Sequence, residues 1–229
     1  MVSHLRIEPR WPDRPSYLEG FERARRSFEP RSTLCIDLAP SEEAILAQMR
    51  PKGRYNIGVA RRHGVKIVED PSPEGVDDVL AIYCDTLERK EDMEAQASDY
   101  FRQLVPVLAR AGRGSLYFAE YAGTRLATAL VVTFGRRATY FYGGSVAEHR
   151  NVMAPYLLHF EVLRAAKAQV LSWYDLWGVS PQGKDDHAWA NISAFKRKFG
   201  GQELGLVPTL DYVYDRDAYE AYTTGEQDD

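Results

Sequence analysis

A block of strand-period sequence in the second half of the chain constrains the fold most. From Ser115 it reads SLYFAEY, a turn at AGT, RLATALVVTF, a turn at GRR, then ATYFYGG. Apolar runs separated by short polar turns make three antiparallel strands. The middle run is nearly all apolar, as a central strand buried on both faces should be. A helix-period run, APYLLHFEVLRAAKA, follows directly.

The flanking segments complete the order. LRIEP and STLCIDL read as strands. Ser41 caps a short helix, SEEAILAQM, with acids in its first turn. The next helix starts at Pro51 and closes at Gly64, and VKIVED follows as a strand. Ser72-Pro73 opens a helix on which Val76, Val79, Leu80, Tyr83, Cys84 and Leu87 share one face. Another starts at Ser98 and carries Phe101, Leu104, Val105 and Leu108; Pro106 is expected to kink or shorten it. After the long helix come a strand (LSWYDLWGV), a short helix closed by glycines (NISAFKRKFGG), a last strand region (LGLVPTLDYVYD) and a polar, frayed tail (TTGEQDD). Two helices, a three-strand meander, then helix, strand, helix, strand is the order of a GNAT-type acyltransferase. The fold class is therefore α/β of the α+β kind. Fold alone does not give function.

Composition narrows the partners. The chain has 229 residues, 45% hydrophobic and 27% charged, enough to bury a core without staples. That length allows one large domain or one and a half small ones. Its net charge of -4 does not attract nucleic acid, so any anion site must be a local basic patch. Cys35 and Cys84 have no metal or disulfide spacing, and both read as reduced core thiols. The histidines form no metal set, and no nucleophile elbow appears. No signal peptide opens the chain and no apolar run reaches membrane-spanning length, so a cytoplasmic location is expected.

Four segments could carry chemistry. From Arg50 to Lys66, the cations Arg50, Lys52, Arg54, Arg61, Arg62 and Lys66 occur with no acid between them. On a helix, Arg54 and Arg61 share a face and Arg62 lies beside them. Such a stripe suits phosphates of a nucleotide or an RNA backbone, or is simply a solvated face. In ATYFYGGS, strand alternation puts Tyr140 and Tyr142 on one face and Phe141 on the other. The two phenols either bind sugar or peptide groups or are core residues with satisfied hydroxyls. In HRNVMAPYLLHFEVLRAAK, Arg150 is followed by Asn151, Val152, Met153, Ala154 and Pro155. A coenzyme A pyrophosphate needs a glycine-bearing loop at this helix N-terminus. Here there is no glycine, and proline removes an amide donor. That argues against coenzyme A as the acyl carrier. In SAFKRKFGG, Phe195 and Phe199 lie four apart on one face while Lys196, Arg197 and Lys198 project. A fixed ammonium there could stabilise the oxyanion of an acyl transfer, or the segment is a basic solvent-facing turn.

In combination these stretches resemble the Fem-type peptidyltransferases (FemABX family), which use aminoacyl-tRNA to add amino acids to peptidoglycan stem peptides. The matching stretches are LRIEP, TLCIDLAPSEEAILAQMRPKGRYNIGVARRHGVKI, DTLER, TYFYGGS, MAPYLLHFEVLRAAK, WYDLWGV and FKRKFGG, in family order. The resemblance implies two packed GNAT-like domains. Residues 51–208 would form the second, and residues 1–50, joined by 209–229, a remnant of the first. It also implies about 100 further residues ahead of LRIEP, one small domain's worth of chain. A truncated product, a misassigned start or a partial chain would each account for their absence. Part of the phosphate-binding surface belongs to that stretch.

By the same resemblance Lys196 binds the nucleotide-linked precursor and stabilises the transition state, and Glu8 is an acid/base residue where the family usually has aspartate. Tyr100, Tyr140 and Tyr142, with Phe195 and Arg89, contact substrate. Gln96 stands where the family often has arginine. Lys52, Arg54, Arg61 and Arg62 are assigned to tRNA or phosphate.

The reaction implied is attack by the amine of the third stem-peptide residue on the ester carbonyl of an aminoacyl-tRNA. It needs no metal and no cofactor, because positioning and oxyanion stabilisation act on an already activated ester. The expected partners are aminoacyl-tRNA and a UDP-linked or lipid-linked precursor, the latter met at a membrane surface without an integral segment. Two alternatives stand beside it: an acetyl-coenzyme A-dependent N-acetyltransferase, and a degenerate Fem-like domain that binds without catalysis.

Overall fold

The computed structural model describes residues 2–28, 30–88, 98–183 and 186–224. In chain order its elements are β1 (His4–Ile7), β2 (Glu22–Arg23), β3 (Ser32–Asp37), α1 (Glu42–Gln48), α2 (Pro51–Arg62), β4 (Lys66–Glu69), α3 (Pro73–Glu88) and α4 (Ser98–Arg110). There follow β5 (Gly114–Tyr121), β6 (Thr124–Phe134), β7 (Arg137–Ser145), α5 (Ala154–Ala168), β8 (Trp173–Gly178), α6 (Ala190–Lys196), β9 (Gln202–Gly205), β10 (Leu210–Val213) and α7 (Arg216–Thr223). The boundary signals act as physics requires. The Ser41 hydroxyl accepts from the Ala44 amide at 3.2 Å, the Ser72 hydroxyl from the Gly75 amide at 3.1 Å, and Pro51 is the first residue of α2.

The chain divides into two compact units. One comprises Met1–Leu34, Gly178–Ser193 and Glu203–Asp229, the other Cys35–Trp177 and Ala194–Gln202. The first holds a three-stranded antiparallel sheet in the order β1-β10-β2, packed over Leu18, Val207 and Leu210. Buried Asp211 ties this unit together. It accepts two bonds from Arg6, at 2.8 and 2.9 Å, and one from the Tyr219 hydroxyl at 2.8 Å. Burial opposes ionisation of Asp211, but the Arg6 and Tyr219 bonds outweigh it and keep the carboxyl below its ordinary value. Tyr219 lies on α7, which forms between the last expected strand region and the polar tail, over a stretch with no element expected. Its apolar signal is short, and packing of this one tyrosine supplies what periodicity does not.

The second unit carries β4, β5, β6, β7 and most of β8, from a sheet of order β4-β5-β6-β7-β8-β3-β9. The run from β4 to β7 is antiparallel, and β7 pairs parallel with β8 through the crossover helix α5. Leu116, Phe118 and Leu130 face α3 and α4, where Val76, Val79, Phe101 and Val105 complete one core. Tyr117, pointing the other way, lines a cleft together with Leu157 of α5. The helix α4 runs through Pro106 to Arg110 instead of stopping. Burial of Phe101 and Val105, with Leu108 packed beyond the proline, holds both halves to the same core. Cys35 is buried as expected but Cys84 is exposed, because Ile82 and Tyr83 take the inward positions of α3.

The short helix α2 sits against the segment that follows α6. The Arg50 amide donates to the Lys198 carbonyl at 3.1 Å, and a Cβ added at Gly53 would stand 2.4 Å from that same oxygen. At Gly58 a Cβ would meet only the tip of Arg62, at 3.3 Å. Gly53→Ala is therefore expected to cost about 1–3 kcal/mol. Gly58→Ala should be neutral or stabilising by up to about 1 kcal/mol, since alanine is the better helix former. Urea denaturation of the two variants checks both signs.

Candidate active site

The parallel pair β7–β8 is joined at only three positions: Arg137↔Trp173, Ala138↔Tyr174 and Thr139↔Asp175. Both strands continue past the last pair, β7 to Ser145 and β8 to Gly178. A wedge opens after Thr139, with Tyr140 and Phe141 on one bank and Leu176 and Trp177 on the other.

A register shift on the other side of β7 decides what points into this region. Leu130 of β6 pairs with Tyr142, but its neighbour Val131 pairs with Tyr140. Neighbours on β6 face opposite ways, so their partners do too. Tyr140 and Tyr142 therefore point to opposite faces, contrary to simple alternation, with Phe141 as the extra residue of a β-bulge. Tyr142 turns to the α3–α4 core and meets Phe101 and Tyr100 edge-on, at 5.0 and 5.9 Å between ring centroids. Tyr140 turns toward α5 and meets His159 edge-on at 4.5 Å. Close contact requires glycine beside it: a Cβ at Gly143 would lie 2.6 Å from the Tyr140 hydroxyl.

Lys196, at the end of α6, joins Tyr140. It is 6% exposed, and its Nζ lies 6.0 Å from the centroid of the Tyr140 ring. Local sequence explains the placement. Phe195 and Phe199 both pack on Tyr156, at 5.1 and 5.8 Å, and on His159, at 5.5 and 5.4 Å. Arg197–Phe199 tightens into a 3-10 turn, and Gly200 and Gly201 follow with φ of +76° and +87°. A Cβ at Gly201 would stand 2.5 Å from the Cys35 carbonyl. Of the cations expected to project, Lys196 is turned inward, and Lys198 donates to the Tyr156 hydroxyl at 3.1 Å.

His159 completes the group. Its Nδ1 lies 2.7 Å from the Tyr174 hydroxyl. Burial, with a contribution from the Lys196 charge, pushes its pKa down to about 3, so the imidazole is neutral. Burial raises the Tyr140 and Tyr174 hydroxyls above their ordinary range. Lys196 thus faces an uncharged aromatic wall that offers no competing cation and no phenolate.

The remaining residues expected at the site are more scattered. Tyr100 packs edge-on against Phe101 and Tyr142, at 5.5 and 5.9 Å. Glu8 lies in the smaller unit, where its Oε1 accepts from the Phe28 amide and the Thr209 hydroxyl, both at 2.7 Å. Arg89 and Gln96 fall outside the described residues. The cationic stripe separates by role. Arg54 donates to the Ala47 carbonyl at 3.2 Å and to the Met49 carbonyl, finishing α1. Arg61 pairs with Glu161 at 3.1 Å. Both residues stay exposed while making these bonds. Lys52 and Arg62 are exposed and approach the Tyr55 ring to 5.3 and 5.8 Å. A cleft of about 470 Å³ beside α2 and α5 is lined by Arg61, Tyr117, Leu157 and Glu161, and contains neither Lys196 nor Tyr140.

The segment before α5 has little to offer a pyrophosphate. The amides of Val152 and Met153 already donate to the His149 and Arg150 carbonyls, at 3.0 and 3.2 Å, and Pro155 has none. Among the described residues no cluster could hold a metal ion, and no helix is long and apolar enough to cross a membrane.

His159 has no motif to announce it. Its signal is spacing: it shares a helix face with Tyr156, three residues earlier.

Meander, crossover helix and parting parallel strands define a GNAT-like acyltransferase fold. The chain belongs to the FemAB family, whose model matches residues 17–110 and 115–226. It is 24% identical over 195 residues to the UDP-N-acetylmuramoylpentapeptide-lysine N(6)-alanyltransferase of Weissella viridescens, covering 84% of this chain and 56% of that protein. It is 27% identical over 101 residues to a lipid II:glycine glycyltransferase of Staphylococcus epidermidis, covering 44% and 24%. The chain thus spans about half the length of the first relative or less of the second. The crystal structure of FemX superposes with a TM-score of 0.87 at 15% identity, over 96% of this chain and 74% of that one. The C-terminal domain of a putative lysylphosphatidylglycerol synthetase from Agrobacterium fabrum gives a TM-score of 0.58 at 17% identity, over 91% and 68%.

Neutral buried His159 has a pH consequence. Unfolded, the imidazole binds a proton below its ordinary value of 6.5; folded, it resists until about pH 3. Stability from this residue is full above pH 6.5 and falls as pH drops through that window, by at most about 1.4 kcal/mol per unit. In His159→Gln the pH dependence of the denaturation midpoint between pH 6.5 and 4 should flatten. An unchanged slope would remove His159 as its source.

Proposed function

We propose that this chain transfers an aminoacyl group from aminoacyl-tRNA to the side-chain amine of a peptidoglycan stem peptide. The observation that carries this reading is Lys196, buried at the wedge against Tyr140 and neutral His159. Both relatives named above are aminoacyl transferases by name. The reading takes its acceptor, a UDP-linked or lipid-linked precursor, from them. A tRNA-borne donor puts the reaction in the cytoplasm.

The step balances without a covalent enzyme intermediate. The amine nitrogen attacks the ester carbonyl carbon, a C–N bond forms, and the carbonyl oxygen takes the negative charge. Collapse breaks the ester C–O bond and releases the ribose hydroxyl of the tRNA. The proton leaving nitrogen goes to a substrate carboxylate and then to the leaving oxygen. Lys196 offsets the charge on the tetrahedral intermediate or on the precursor's phosphates. Coenzyme A fits less well, because the Val152 and Met153 amides at the start of α5 are engaged and Pro155 has none. Calorimetric titration with coenzyme A should give no heat of binding.

The direct test is transfer of a radiolabelled amino acid from charged tRNA to nucleotide-linked precursor. Lys196→Met should lower kcat by about 100- to 1,000-fold while thermal melting shows a folded chain. Normal turnover by a folded Lys196→Met or Lys196→Ala protein would falsify the role given to Lys196.

A further inference from the structure

Four aromatic rings form a continuous row across the wedge. Tyr100 meets Tyr142 at 5.9 Å, Tyr142 meets Phe141 at 4.7 Å, and Phe141 meets Trp177 at 5.6 Å. All four are half-buried. Three of them follow from helix α4 or from the β7 bulge. Trp177 stands on β8, and it carries the row from one bank of the wedge to the other.

Its backbone is unusual. Trp177 has φ of +64°, a left-handed conformation that a Cβ disfavours. The other non-glycine residues with positive φ are Ala122, His149, Met153 and Val170. Ala122 sits in the β5–β6 turn, His149 and Met153 precede α5, and Val170 follows it. Trp177 alone among the described residues adopts this conformation inside a strand. Asp175 enforces it. This side chain is fully buried; its Oδ1 accepts from the Trp177 amide at 2.9 Å, and its Oδ2 from Arg137 Nη1 at 3.0 Å. A buried carboxylate at the last strand pair therefore fixes the direction of the indole beyond it.

We propose that Trp177 is a specificity-determining contact for the acyl acceptor and that Asp175 is its positioning residue. The indole takes the aliphatic stem of an amine-bearing peptide side chain, with Tyr142 and Tyr100 continuing the surface along the peptide. An indole face suits this ligand twice over: it buries methylene groups and attracts an ammonium. The inference rests on the aminoacyl-transfer reading given above.

The test uses the full chain and the UDP-linked muramyl pentapeptide that carries lysine. In the wild type, the Trp177 indole N–H signal, assigned by its loss in Trp177→Phe, should shift on addition of the precursor. Trp177→Ala should raise the acceptor KM about 10-fold or more with kcat within about three-fold, and Trp177→Phe should restore most of it. Asp175→Asn should move KM in the same direction, and the tRNA KM should stay put in all three. The inference is overturned if Trp177→Ala keeps the wild-type acceptor KM, or if the precursor binds without moving the indole signal. In either case the transfer reading survives. A wild-type chain that neither binds precursor nor transfers would overturn both.

Discussion

Parallel pairing between β7 and β8 stops at Thr139 and Asp175, and the character of the site depends on that early stop. Two strands that diverge leave backbone polar groups and a gap that side chains must occupy. The bulge at Phe141 contributes to the divergence, since an extra residue bends a strand and raises its twist. It also fixes what each face receives. Tyr140 goes to the side of His159 and Lys196, while Phe141 and Tyr142 go to the side of Tyr100. One inserted residue thus gives a single strand two different working surfaces.

Burial of an ammonium is costly unless its surroundings compensate. On the side of β7 and α5, Lys196 meets rings that carry no competing positive charge. The Tyr140 ring presents a π face, and His159 stays neutral because its own desolvation cost and the nearby ammonium both oppose a proton. The arrangement depends on backbone contacts as well. The Lys198 carbonyl accepts from Arg50 across the gap that Gly53 leaves open, and Gly201 lets the chain pass close to Cys35. Glycine at these places and phenylalanine at 195 and 199 put the lysine inside, where a charge acts through a low local dielectric.

What was legible in the sequence follows from how local each signal is. Caps, turns and periodicity reported on a few adjacent residues, and they placed the meander, α3, α5 and the helix carrying Lys196. Folding of α7 depends on Tyr219 reaching Asp211, a contact no local window contains. The faces of Tyr140 and Tyr142 depend on a bulge set by the neighbouring strand. The cationic stripe of α2 could not be divided from sequence either. Arg54 bonds the carbonyls at the end of α1 and Arg61 bonds Glu161, while Lys52 and Arg62 approach the Tyr55 ring. FKRKFGG marked Lys196 but not its burial, because the wall it meets comes from β7 and α5.

The departures from local preference in the larger unit gather in one place. A buried ammonium, a β-bulge, a histidine held neutral and a left-handed tryptophan in a strand each cost stability where they stand. All four lie on the two banks of the wedge or on the elements facing it. Elsewhere in that unit the departures are milder: positive φ values fall in turns or at helix ends, and the inserted proline of α4 is carried by the core on either side. Packing alone gives no reason for such costs to cluster, since each could be relieved by an ordinary substitution such as glycine at Trp177 or leucine at Lys196. A site that must hold charge and rings in fixed directions does give a reason, because the same features that weaken the fold there are the ones that position a reacting group.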